Sequence, residues 1–166
     1  MKHVLRPMQA ADVPEILRLQ AAAYATAAFE PESAAVYLNR MALAPDLCWV
    51  AVDPQGGLFG YLLSHPWHAG KPPALDTVLD ALPRPATHWY LHDCAVDALA
   101  RGGGVAAALY EAAHDAAVCR GLQCSALVAV GQAAAYWGLR GYRPAEVTHA
   151  LDSYGEGACY MTRALG

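Results

Sequence analysis

The chain has no cluster of Lys or Arg, and its 11 basic residues against 15 acidic ones leave a formal net charge of -4. A chain so built offers no electrostatic grip on nucleic acid or on an anionic membrane, and its partner is expected to be small. Long apolar runs are also missing. Asp, Arg or Gly interrupts each one before it could span a bilayer, and the opening "MKHVLRPMQAAD" lacks an apolar signal core, which predicts a cytoplasmic protein. Cysteine is sparse and odd in number. Cys48, Cys94, Cys119, Cys124 and Cys159 are scattered through mostly apolar surroundings, which reads as reduced core thiols and not as a disulfide framework. Charged residues make up only 16% of the 166, whereas 56% are hydrophobic. That is enough apolar material for one globular domain, residues 1–166, with a full core.

The order of elements suggests an α/β fold. "HVLRPM" is a candidate strand; Asp12 opens a helix over "VPEILRLQAAAYA", with Pro14 tolerable in the first turn; "ESAAVYLNRMAL" is a second helix. "LCWVAVD" and "LFGYLLSH", joined by "PQGG", predict a hairpin. The stretch from Pro66 to Thr87 holds five of the eleven prolines and reads as a long irregular excursion, of the kind that shapes a pocket. A strand "HWYLHDCAV", a turn "DALARGGG", a helix "VAAALYEAAHDAAVCR", a strand "LQCSALVAV", a helix "QAAAYWGLR" and a last strand near "GACYMTRAL" follow.

Gly102, Gly103 and Gly104 thus fall between a strand and the first turn of a helix. There the leading N–H groups lack intrahelical partners and the dipole is positive, so bare backbone lets a phosphate approach closely. A Walker loop requires Lys and Ser or Thr after its last glycine, where Val105 and Ala106 stand. A dinucleotide fingerprint fits Gly102, Gly104 and Ala107, yet the acidic ribose partner is missing: residues 116–145 contain no Asp or Glu.

A third reading covers more of the chain. "AVDALARGGGVAAAL" resembles the acetyl-CoA signature of the GNAT superfamily of N-acetyltransferases, Q/R-x-x-G-x-G/A, through Arg101, Gly104 and Ala106. "AAAYWGLRGYRPA" is similar to that family's A-x-x-F-[YW]-x-x-x-G-[FY], and the order of elements agrees. The resemblance implies a mixed, twisted central sheet with helices on both faces, splayed where acetyl-CoA enters. It implies that Arg101, Gly102, Gly103, Gly104, Val105 and Ala106 hold pyrophosphate through main-chain N–H groups, and that Cys94, Ala95 and Val96 face the pantetheine arm and the thioester. Acetyl-CoA and an amine acceptor are the partners it implies, with neither nucleic acid nor membrane; a homodimer is left open.

Acetyl transfer to an amine needs a base, a stabilised oxyanion and a proton for the leaving thiolate. Matching positions place the base at Tyr90 or His92, and His92 is the better choice, since an unperturbed imidazole is largely neutral at pH 7. Strand alternation puts His88, Tyr90 and His92 on one face, unless a bulge resets it after His92. Asp93 is a candidate for orienting the amine. The family's usual acid, a Tyr four residues before the terminal Gly, is replaced by Trp137; indole cannot protonate a thiolate, and the neighbouring Tyr136 is the substitute to test, with Trp137 left against the coenzyme. Tyr24, near the junction of the first two helices, and His65 and His68 in and beside the Pro-rich excursion are expected to contact the acceptor. Zinc fits poorly: His88 and His92 on a strand lie about 13 Å apart, and no HExxH pattern is present. The replacement at Trp137 keeps open a non-catalytic acyl-CoA-binding domain, and the glycine loop does not choose between acetyl and another acyl group.

Overall fold

The computed structural model describes residues 2–27 and 29–165. Its elements run β1 (Val4–Pro7), α1 (Val13–Ala23), α2 (Ala34–Leu43), β2 (Cys48–Val52), β3 (Leu58–Trp67), β4 (His88–Val96), α3 (Val105–Cys119), β5 (Cys124–Ala129), α4 (Ala133–Leu139), β6 (Arg143–Pro144) and β7 (Cys159–Ala164). Seven strands form one sheet in the order β1-β2-β3-β4-β5-β7-β6. Only the β4–β5 pair is parallel; every other pair is antiparallel. This is the mixed sheet that the family resemblance implies. The two-residue β6 was not anticipated, because a pair that includes Pro144 carries no strand signal of its own.

Helices cover both faces. On one, α1 and α2 bury Ile16, Leu19, Val36 and Tyr37 against Val50, Tyr61 and Leu63. On the other, α3 buries Val105, Leu109, Ala113 and Ala117, spaced four apart along one stripe, against Leu62, Trp89 and Leu127. Each fully buried aliphatic side chain contributes about 2 kcal/mol. α3 lies close to the sheet over Gly60, where an added Cβ would stand 3.2 and 3.3 Å from the Val105 and Leu109 side chains. This close approach fixes the helix's first turn beside the end of β4.

α1 starts where the sequence places it, after a turn in which the Asp12 carboxylate accepts from the Gln9 N–H and from both Arg6 nitrogens at 2.8 Å. Four of the five cysteines are buried or half-buried, but Cys119, at the end of α3, is exposed and so is not a core thiol. Among the described residues no helix is long and apolar enough to cross a membrane.

Candidate active site

Pairing between β4 and β5 stops early. His88–Leu91 lies in register with Cys124–Leu127, but β4 continues to Val96 paired only with β3. The two parallel strands therefore splay, and the β5-facing backbone of the last half of β4 has no strand partner. A cavity of about 640 Å³ occupies the split, lined by Leu91–Val96 of β4, the end of α1 at Tyr24, Ala106 and Tyr110 of α3, residues 130–132 after β5, Tyr136 and Trp137 of α4, and Tyr154 and Glu156.

A bulge opens this half of β4. Ser64 pairs with Leu91 and Leu63 with Asp93, which leaves His92 as the extra residue. Trp89 and Leu91 before it, and Cys94 and Val96 after it, all pack toward α3. His92 and Asp93 consequently both point toward α1 and α2, although they are consecutive residues. The bulge at His92 resets the alternation directly after it, so His88, Tyr90 and His92 share a face and Asp93 joins them.

The His92 side chain is removed from solvent, and its Nε2 lies 2.7 Å from Oε1 of Glu32, which is itself only 3% exposed. Glu32 is fixed on several sides. Its backbone exchanges hydrogen bonds with the Gln20 amide, and its Oε2 accepts the Asp76 N–H at 2.7 Å. Burial alone would push the Glu32 carboxyl up, but the His92 and Asp76 hydrogen bonds prevail and hold it below the usual range. An ionised carboxylate only accepts, so whenever His92 carries a single ring proton it resides on Nε2 and the lone pair on Nδ1. That Nδ1 is buried and has no partner among the described residues.

Asp93 is surrounded by phenols. Tyr24 donates to Oδ1, and Tyr37 and Tyr61 donate to Oδ2, each at 2.7 Å. Burial pushes the Asp93 carboxyl up, against the downward pull of the three hydroxyls and of His92. A small recess of about 40 Å³ adjoins the main cavity here, between Gln20, Tyr24, Phe29, Glu32, Leu75, His92, Asp93 and Tyr154. It lies at the junction of the first two helices. The Pro-rich excursion supplies it with Leu75, and with the Asp76 N–H behind Glu32.

Other expected contacts lie elsewhere. His65 is wholly buried, edge-on to Trp67 and beside Tyr90, and outside the lining of both spaces; burial lowers its imidazole to about 3. His68 is exposed beyond the end of β3 and also outside the lining. Tyr90 is buried against Ala126 and Tyr160, its hydroxyl 2.8 Å from that of Tyr154. These three residues do not reach the acceptor side of the cavity. His88 turns to Thr87. The reasons differ: β3 runs on to Trp67, so His65 lies within the sheet and not in a loop, and Tyr90, on the face that alternation gives it, packs against Ala126 and Tyr160.

The glycine loop is in place at the cavity's other side. Gly102 and Gly104 have φ of 81° and 79°, and an added Cβ at either would meet open space. Gly104 is the N-cap of α3, so the first N–H groups of a fifteen-residue helix point into the loop. Ala106 lines the cavity, while residues 101–104, just before it, are exposed and, like the buried Val105, outside the lining. On α4, Trp137 packs between Tyr110 and Tyr142 and lines the cavity. Tyr136 lines it too, 45% exposed, and its hydroxyl accepts from Arg140 Nε at 3.1 Å. Glu32, Tyr37 and Tyr61 were missed by sequence reasoning: they lie in segments read only as the second helix and a hairpin strand, and only the fold brings them to β4.

The model of the acetyltransferase (GNAT) family matches residues 13–139. No curated protein matches significantly in sequence. Among solved structures, Ard1 from Thermoplasma volcanium is similar at 18% identity and a TM-score of 0.75, covering 100% of this chain and 99% of that one. N-acetylglutamate synthase from Neisseria gonorrhoeae, complexed with coenzyme A and N-acetyl-glutamate, is similar at 15% identity and a TM-score of 0.76, over 100% of this chain and 36% of that one. The GphF GNAT-like decarboxylase in complex with isobutyryl-CoA gives 18% and 0.75, over 98% and 100%. The family match spans most of the chain, including the splayed strands and the glycine loop, and the chain belongs to the acetyltransferase (GNAT) family.

Proposed function

We propose that the protein transfers an acetyl group from acetyl-CoA directly to a primary amine of a small molecule or peptide. The observation that carries this reading is the coincidence of two features: the split between β4 and β5, and the glycine-lined N-terminus of α3 at its mouth. Coenzyme A and isobutyryl-CoA are bound in two of the similar structures, which supports a coenzyme A thioester as donor here.

In this reading Arg101 to Ala106 bind the pyrophosphate through the helix N-terminus. The β5-facing backbone of Cys94, Ala95 and Val96 meets the pantetheine arm, and a main-chain N–H there stabilises charge developing on the thioester oxygen. Acetyl-CoA supplies the activated acetyl group; the chain supplies position and proton transfer. His92 accepts a proton on Nδ1, with Glu32 holding Nε2–H in the complementary tautomer. Tyr136 accepts from Arg140 and keeps its own O–H proton to donate, which makes it the group in this reading that protonates the leaving sulfur. Trp137 packs as a wall beneath it.

The test is calorimetric titration with acetyl-CoA, with NADH and ATP as controls, followed by release of free thiol with a panel of amines. Saturable acetyl-CoA binding and amine-dependent thiol release support the reading. Binding without release on any amine would identify a non-catalytic acyl-CoA-binding domain, and tighter competition by propionyl-CoA would reassign the acyl group.

A further inference from the structure

We infer that the acceptor is an aliphatic ammonium without a carboxylate beside it, received on Oδ1 of Asp93. The inference rests on the acetyltransferase reading and names the substrate class for the same site.

Hydrogen-bond capacity comes first. A carboxylate oxygen accepts about two hydrogen bonds. Oδ2 of Asp93 already takes two phenols, whereas Oδ1 takes only Tyr24. One acceptor site is therefore left on the oxygen that shares the cavity lining with Tyr24. The three donors are neutral. With His92 acting as the neutral base, this buried carboxylate is satisfied only by neutral groups, and an ammonium supplies the countercharge.

Charge across the whole lining points the same way. The ionisable carboxylates facing the two spaces are Glu32, Asp93 and Glu156, and neither Lys nor Arg is among the lining residues. The nearby buried Arg40 is turned to the Thr77 carbonyl and Asn39, outside the lining. An acceptor with a carboxylate next to its amine would place that group among like charges with no cation to pair. The rings of Tyr24 and Phe29, 5.5 Å apart, suit a cation instead. The recess is small, about 40 Å³, and opens into the main cavity, which takes the rest of the acceptor.

The bulge gives this arrangement its chemistry. It places the unpartnered Nδ1 of His92 on the same side as Asp93, one residue away. An ammonium docked on Oδ1 gives one proton to that nitrogen. The amine nitrogen then forms its bond to the acetyl carbon as the C–S bond breaks, and the second proton lost from nitrogen ends on the sulfur.

The experiment titrates the whole protein, with and without coenzyme A, with four probes of similar length: 1-aminobutane, 1,4-diaminobutane, 2-aminopentanoic acid and 1-butanol. The two amines are expected to bind at least tenfold more tightly than the amino acid, and the alcohol not at all. Asp93→Asn should weaken both amines at least tenfold; acetyl-CoA affinity serves as its folding control. Because an amide beside three phenols can disturb packing, Glu156→Lys at an exposed lining position is the second variant. It should weaken 1,4-diaminobutane severalfold and improve 2-aminopentanoic acid. Equal binding of the amino acid, or no binding of either amine by a protein that binds acetyl-CoA, would overturn the inference. Failure of acetyl-CoA to bind would instead strike the transferase reading, and the amine titration would still report on Asp93.

Discussion

Glu32 and His92, sixty residues apart in sequence, meet at 2.7 Å with both side chains out of solvent. The carboxylate fixes which imidazole nitrogen carries the proton, and so which nitrogen can take one. Glu32→Gln keeps the shape but removes the charge and the strict acceptor character, so the amide can hold His92 in either tautomer. The expected result is a fall in kcat of about 10- to 100-fold, with KM for acetyl-CoA little changed and an altered pH–rate profile. An unchanged profile would reduce the pair to a structural contact. Stability gives a second readout. The Glu32 carboxyl titrates below its ordinary value, so its contribution is full above the unfolded pKa and is lost as pH falls through the folded one. Glu32→Gln should remove that acid-side loss.

Gly104 separates binding from folding. With φ of 79° and open space around a Cβ, it is a position where Asp is strained only modestly, since Asp and Asn enter the left-handed region more readily than most residues. An Asp at the N-cap also suits the helix dipole. The same carboxylate would occupy the place proposed for pyrophosphate. Gly104→Asp is therefore expected to change the melting temperature by only a few degrees while weakening acetyl-CoA at least about tenfold, read by calorimetry.

Much of this was legible because it depends on local chemistry. β4 occupies the nine residues read as a strand, and the glycine run stands between strand and helix as composition implied. What was illegible depends on long-range packing. Nothing in "FEPESAA" marks Glu32 as a partner of His92, and nothing around Tyr37 or Tyr61 says that both hydroxyls converge on Asp93. Strand alternation allowed a bulge after His92 but could not require one: it arises from the register between β3 and β4, and the extra residue brings Asp93 to the same side as His92.

His65 should make the fold acid-sensitive well before the carboxylates titrate. Its imidazole is lowered to about 3 by burial, so the unfolded chain binds a proton near pH 6.5 that the folded chain refuses. This contribution to stability is whole above pH 6.5 and drains away as pH falls toward 3. At pH 5 the loss is about 2 kcal/mol, or about 4–8 °C in Tm. His65→Phe, which keeps an aromatic ring against Trp67 and Tyr90, should flatten the change in Tm between pH 7 and pH 5. A slope that persists in the variant would assign the acid sensitivity to other groups.

Two glycines to alanine should move stability in opposite directions. At Gly60 the new methyl would stand 2.9 Å from the Ala95 carbonyl oxygen and 3.2 and 3.3 Å from Val105 and Leu109. The first neighbour is backbone and the other two are packed core, so β3, β4 and α3 must separate. Overpacking of this kind costs about 1–3 kcal/mol. Gly138 stands in the interior of α4 with nothing within 4 Å and no positive φ, so alanine there restricts the unfolded chain without strain and should stabilise by about 0.5–1 kcal/mol. Urea denaturation reads both. The Gly60 variant carries a further expectation, because what it displaces is the first turn of α3: its acetyl-CoA affinity should fall together with its stability, whereas Gly138→Ala should leave that affinity unchanged. Loss of stability at Gly60 with full donor affinity would show that the close packing of α3 on the sheet does not set the loop's geometry.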